Sequence, residues 1–205
     1  MARLVTWSQY RESIGDRSGL FVTLAETWPI ERALYPGSYV DLSPSAAIPS
    51  VTYVDTDARA ERFFADSDLV DAELAGRTLP GAGQHVRFLA ADYAQPLDVP
   101  DGSMDLLISL FTTPMWEHCH RYLRPGGWLL ANTSHGEASL AALNPSLRLV
   151  AAVQHRNDRF RLVTDRLEEY LIPKRPQLAD VHHIRSTGRG IAYTRTAFAY
   201  LFQAL

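Results

Sequence analysis

Between residues 30 and 135, short β-branched or apolar runs alternate with amphipathic stretches, and no other feature of the chain narrows its folding options as far. Strand-like runs fall at residues 32–36, 51–55, 86–90, 104–111 and 128–132, each followed by loop or helix signals. Parallel strands need crossovers of about a dozen residues or more, usually helical, and the segments between these runs supply them. Thr56 and Asp57 precede the helical stretch 58–64, and Ser67 and Asp68 precede 69–75; such side chains accept hydrogen bonds from the open amides of a first turn. Pro114 fits the opening of a helix through residues 116–123, which Pro125, Gly126 and Gly127 stop. Trp7, Tyr10 and Ile14 stand at helical spacing in a lead-in segment, residues 1–30. After Asn132 the order changes: residues 147–154 and 160–163 read as a hairpin, 164–171 as a short helix and 191–202 as a closing strand. A mostly parallel α/β sheet therefore ends in antiparallel strands, within one domain of 205 residues.

Several function classes drop out. Residues 1–120 carry 8 basic and 17 acidic side chains and residues 121–205 carry 12 and 6, yet no dense basic run exists, so nucleic acid is not expected as a partner. No apolar stretch approaches the roughly 18 residues of a membrane span. The amino terminus has no secretory apolar core, so a cytoplasmic, membrane-free protein is expected, and a homodimer is compatible with the sequence. Cys119 is the single cysteine, which forbids an internal disulfide and suits a small buried apolar role. His118 and His120 point about 200° apart on a helix and cannot share an ion, so no metal is expected. Neither a Gly-x-Ser-x-Gly elbow nor a lysine after a glycine run is present, which disfavours serine hydrolases, kinases and ATPases.

In open α/β sheets ligands bind outside the carboxyl ends of the strands, and that rule nominates four loops. The first, Tyr35-Pro36-Gly37-Ser38, holds the early glycine turn that follows a strand; Gly37 permits close backbone approach, or serves as a plain strand-end turn. Asp55 stands eighteen residues further on, followed by Thr56, at the separation where a carboxylate accepts both hydroxyls of a ribose. Asp57 or Thr56 can cap the next helix, which leaves Asp55 for that task. Asp92 suits an adenine amino group and Tyr93 the face of its ring, while Ser109 ends the fourth run. His135, just past the fifth, is the candidate acid or base, since imidazole titrates near neutrality.

Residues 30–135 resemble the class I S-adenosylmethionine-dependent methyltransferases. The likeness is most specific in residues 100–109, Pro-Asp-Gly-Ser-Met-Asp-Leu-Leu-Ile-Ser, and 123–131, Leu-Arg-Pro-Gly-Gly-Trp-Leu-Leu-Ala. These look like the family's fourth strand and its helix-to-fifth-strand turn. The resemblance implies a single Rossmann-like three-layer domain with a seven-stranded sheet and a reversed last strand. It also implies a cofactor half at 30–135, a substrate half at 136–205, and S-adenosylmethionine held with its methionine end at Gly37, ribose at Asp55 and adenine at Asp92. The implied activity is methyl transfer to a small molecule; the alternative is a member that runs other sulfonium chemistry or only binds. The family's first loop carries an acidic residue and three alternating glycines, and here only Gly37 answers to it. A second register sets Asp41 as the acidic residue, with Ser43, Ser45 and Ala47 where glycines stand, but leaves only 12 residues from Ser43 to Asp55.

Overall fold

A computed structural model describes residues 5–205; Met1 to Leu4, the start of the segment expected to carry no export signal, lie outside the described residues. The chain forms two compact units, residues 1–99 and 100–205.

In the first unit the lead-in segment forms two helices. Helix α1 (Trp7–Ile14) is capped by Thr6, whose hydroxyl accepts from the Gln9 amide, and it ends at Gly15; α2 (Ser18–Ala25) buries Leu20, Phe21 and Leu24. Strands β1 (Arg32–Pro36), β2 (Ser50–Asp55) and β3 (His85–Ala90) lie parallel in the order β3-β2-β1, with Tyr35 beside Tyr53 and Tyr53 beside Phe88. The β1-to-β2 crossover contains no α-helix. Pro44 and Pro49 leave room only for a 3-10 turn, Ser43–Ala46, and residues 40–48 are buried throughout. Burial of Val40, Leu42 and Ile48 there contributes about 1.5–3 kcal/mol each, in place of a helical hydrogen-bond ladder. Between β2 and β3 run α3 (Ala58–Phe64) and α4 (Ser67–Leu74). Phe64 of α3 stacks on Tyr53 at 4.9 Å and on Phe88 at 4.7 Å, which fixes that helix over β2 and β3. Asp57 caps α3 through the Arg59 amide, and the Arg59 side chain and amide together hold its carboxyl down at about 2.

The second unit contains β4 (Met104–Ser109), α5 (Trp116–Cys119), β5 (Leu123–Ala131), α6 (Glu137–Leu143), β6 (Leu147–Arg156), β7 (Arg159–Val163), α7 (Val181–Thr187) and β8 (Ala199–Ala204). Its strands follow the order β4-β5-β8-β6-β7; β4 and β5 are parallel, and β8 is antiparallel to both neighbours. β6 and β7 meet at Asn157 and Asp158, both at positive φ, the left-handed pair that a two-residue hairpin turn requires. Eight strands thus build the expected α/β Rossmann-like fold with antiparallel C-terminal strands, the eighth being β7, which pairs with β6.

Three local expectations give way. Residues 116–123 make one turn of helix and a 3-10 turn, His120–Tyr122, because Leu123 already pairs with Met104. Residues 164–171 hold only the 3-10 turn Leu167–Glu169, flanked by Arg166 and Leu171 at positive φ. The closing strand starts at Ala199, not at Ile191. Cys119 is buried, and burial with the nearby Glu137 charge pushes its thiol up to about 12, so it stays protonated. Among the described residues no helix is long and apolar enough to cross a membrane.

Candidate functional site

The end of β2 organises the loops of the first unit. Gly37, directly after β1, turns at φ 66° and donates its amide to the Val54 carbonyl at 2.8 Å. Tyr39 follows at φ 47°, a conformation that costs a residue with a Cβ about 1–2 kcal/mol. Its amide donates to Asp55 Oδ2 at 2.8 Å, and the Asp57 amide donates to Oδ1 at 2.9 Å. Each Asp55 oxygen therefore holds one backbone amide. An ionised carboxylate offers about four lone-pair sites, so acceptor capacity remains on both oxygens. The carboxylate is half-buried and fixed in direction before any ligand arrives.

Gly37, Asp55, Thr56, Ala91, Asp92 and Tyr93 line one cavity of about 260 Å³. Five of the residues singled out from sequence are therefore brought together at the carboxyl ends of β1, β2 and β3. Ala91, which precedes Asp92 on the same loop, joins them, its amide on the Asp55 carbonyl at 3.2 Å. Asp92 is exposed and also turns its own loop, accepting from the Ala94 amide at 2.9 Å. Two carboxylates line the wall, and among the described residues no basic side chain does.

Tyr35 and Ser38 are buried and line no part of this cavity. The Tyr35 phenol donates to Asp41 Oδ2 at 3.3 Å, and burial together with the Asp41 charge raises it well above its ordinary value. Ser38 donates to the Tyr39 carbonyl at 3.3 Å. Both brace the loop. Asp41 is fully buried and is the centre of that brace: Arg17 Nη1 lies 3.3 Å from Oδ2, while the Ser43 amide (3.1 Å) and hydroxyl (2.5 Å) donate to Oδ1. β1 ends at Pro36, so Gly37 and not Ser43 begins the ligand-side loop, and Ser45 is occupied with the Tyr53 hydroxyl at 2.6 Å.

Ser109 and His135 belong to the second unit. His135 is exposed on the loop after β5 and lines neither this cavity nor the one described next. Ser109 is buried, and its hydroxyl donates to Glu137 Oε2 at 3.1 Å. Nothing in the sequence reading pointed to Glu137. It opens α6 and is 1% exposed; Oε2 also accepts the Met115 amide at 2.5 Å and the Trp116 amide at 3.2 Å, drawing the loop after β4 onto the helix start. A cavity of about 360 Å³ adjoins it, walled largely by apolar side chains of α6 and α7.

Burial raises the Glu137 carboxyl above 4.5, against the lowering effect of its three donors. The native state therefore holds this proton more tightly than the unfolded chain. The resulting stability is complete below 4.5 and is lost as pH rises through the shifted value. Glu137→Gln cannot titrate, so its stability relative to wild type is expected to grow as pH rises from 4 to 7, read from urea midpoints at each pH. A constant difference across that range refutes the account.

Parallel strands joined by crossovers and followed by reversed C-terminal strands make this a Rossmann-like α/β fold. Among solved structures the chain is similar to a methyltransferase from Geobacter sulfurreducens, 14% identical, with 97% of this chain and 85% of that one covered and a TM-score of 0.50. It is also similar to TrmN from Thermus thermophilus (16% identical, 92% of this chain and 48% of that one, TM-score 0.49). The tRNA (m1A58) methyltransferase TrmI from Aquifex aeolicus is a third (16% identical, 91% and 68%, TM-score 0.47). The chain thus spans about half the length of TrmN and two thirds of TrmI. No protein-family model matches the sequence, and no curated protein does.

Proposed function

We propose that the chain is an S-adenosylmethionine-dependent enzyme that transfers a methyl group to a small molecule, with the nucleoside part of the cofactor in the Asp55 cavity. The observation that carries this reading is the Asp55 carboxylate, fixed by two backbone amides with acceptor capacity to spare, in one wall with Gly37, Asp92 and Tyr93. The fit is chemical as well as spatial. Oriented acceptors suit a ribose diol and an adenine amino group, and a wall with two acids suits a cationic ligand better than a pyrophosphate. Nor does a helix begin behind Gly37, where a dinucleotide enzyme would bind phosphate at a helix N-terminus. At about 260 Å³ the cavity lies just under the roughly 300–1,000 Å³ of sites for drug-sized ligands, which matches a nucleoside with the amino-acid end outside.

When bound, the cofactor supplies an already activated methyl group on a sulfonium. The chain's own share is then orientation: Asp55 fixes the ribose, Tyr93 offers a ring face to the base, and the Gly37 turn allows close main-chain approach. His135, exposed on the loop after β5, is proposed as the base for the acceptor.

Titration calorimetry with S-adenosylmethionine tests the reading. Binding by the wild-type chain is expected, weakened about 10- to 100-fold in Asp55→Ala, as follows from the loss of charge-assisted bonds at about 1.5–3 kcal/mol. No binding at millimolar ligand refutes it. With a metabolite extract as acceptor source, S-adenosylhomocysteine is the expected product; methylthioadenosine instead assigns the chemistry to displacement at another carbon.

A further inference from the structure

The second cavity has what the first lacks, an apolar body of wall around one buried charge. Its volume, about 360 Å³, lies within the range of small-molecule sites. Leu140, Leu143, Val181, Ile184 and Trp116 supply its apolar walls. Glu137 is itself part of the wall, and its two oxygens are unequally served. Oε2 takes three donors, whereas Oε1 is buried and has no hydrogen-bond partner among the described residues. A buried acceptor in that condition costs about 1–3 kcal/mol, more when charged, and unsatisfied buried groups in native proteins call for a cause.

The charges of the wall indicate what would satisfy it. Glu117 and Glu137 are acidic and Arg185 is basic, and Arg185 is already paired with Glu117. Glu137 Oε2 accepts from two amides and a hydroxyl, none of them a cation. When ionised, Glu137 thus carries a negative charge that no wall cation offsets, inside apolar surroundings.

We infer that residues 100–205 carry a ligand site of their own, which takes a small apolar amine whose ammonium group donates to Glu137 Oε1 while its hydrocarbon body lies between α6 and α7. Glu117 and Asn144, the other wall side chains with acceptor oxygens, are the candidates for the remaining ammonium protons. An alcohol of the same shape satisfies Oε1 but leaves the charge uncompensated, and a carboxylic acid adds a second negative charge. The site rests on this cavity alone and not on the proposed methyl transfer.

Calorimetric titration of the full chain with three probes of one shape tests the inference: 2-phenylethylamine, 2-phenylethanol and 3-phenylpropionate. The expected order of affinity is amine, then alcohol, then acid, with the amide resonances of Met115 and Trp116 shifting as the amine is added. Glu137→Gln keeps the side chain's shape and removes its charge; the amine is expected to weaken tenfold or more while the alcohol is little changed. Leu140→Trp, which fills the cavity, is expected to abolish both. The inference is overturned if none of the probes binds at millimolar concentration, if the acid binds as well as the amine, or if Glu137→Gln leaves amine affinity unchanged. Should either substitution fail to fold, the wild-type probe order and amide shifts still decide the matter. Binding of S-adenosylmethionine is measured separately at Asp55, so failure here leaves the methyltransferase reading standing and the converse also holds.

Discussion

Replacing Asp41 with alanine is expected to lower the unfolding free energy by about 3–5 kcal/mol, the usual result of deleting one partner from a buried ion pair. Asp41 is 0% exposed, and its Arg17 partner is 6% exposed. The carboxylate also accepts from the Tyr35 phenol and from the amide and hydroxyl of Ser43, so its loss strips acceptors from three further donors in a segment with no helical ladder. Asp41→Asn keeps one acceptor oxygen and is expected to fall between the two. Because the pair is buried, the cost should change little between low and high salt. A loss under about 1 kcal/mol in urea denaturation would show that the crossover is held by apolar packing alone. Affinity at the Asp55 cavity is expected to fall too, although Asp41 lines none of it, since the Gly37 turn and Tyr39 lie on the loop that Asp41 anchors.

How far this was legible in the sequence depends on how local each cause is. Residues 32–36, 51–55 and 86–90 declare themselves because apolar runs bounded by turn residues are a property of neighbours along the chain. Asp55 was legible for the same reason, as an acid at a strand's carboxyl end with a separate capping residue two positions on. The Arg17–Asp41 brace was not, because its members lie 24 residues apart and charged side chains default to the surface. Glu137 was hidden differently. An acid in a helix's first turn ordinarily complements the dipole at an exposed terminus, and only the convergence of Ser109, Met115 and Trp116 makes it a buried hub. The start of β5 misled because Pro125-Gly126-Gly127 has turn chemistry, yet the segment bulges within a strand. Met104 pairs with Leu123 and Leu106 with Trp128, so three surplus residues loop out and the register resumes.

Gly190→Ala should be the most damaging single-methyl change in residues 100–205. A Cβ at that position would lie 2.0 Å from the Thr133 carbonyl oxygen and 3.2 Å from Thr133 Cβ, and a carbonyl cannot swing aside as the end of a flexible side chain can. The same oxygen accepts the Gly136 amide at 3.3 Å, one residue before Glu137, so relief by moving Thr133 loosens the start of α6. Relief by moving residues 189–191 instead pulls the Ile191 amide from Ser139 Oγ, 3.4 Å away. Either route separates packed main chain, and a loss of more than about 4 kcal/mol, or failure to accumulate folded protein, is expected. Gly188→Ala two residues earlier is the matched control: Gly188 ends α7 at φ 61°, and an added Cβ meets nothing within 4 Å. It carries only the cost of a left-handed residue, about 1–2 kcal/mol. Denaturant midpoints of the two variants therefore separate contact from conformation, and equal losses would mean that the chain crosses Thr133 with more room than a 2.0 Å approach allows.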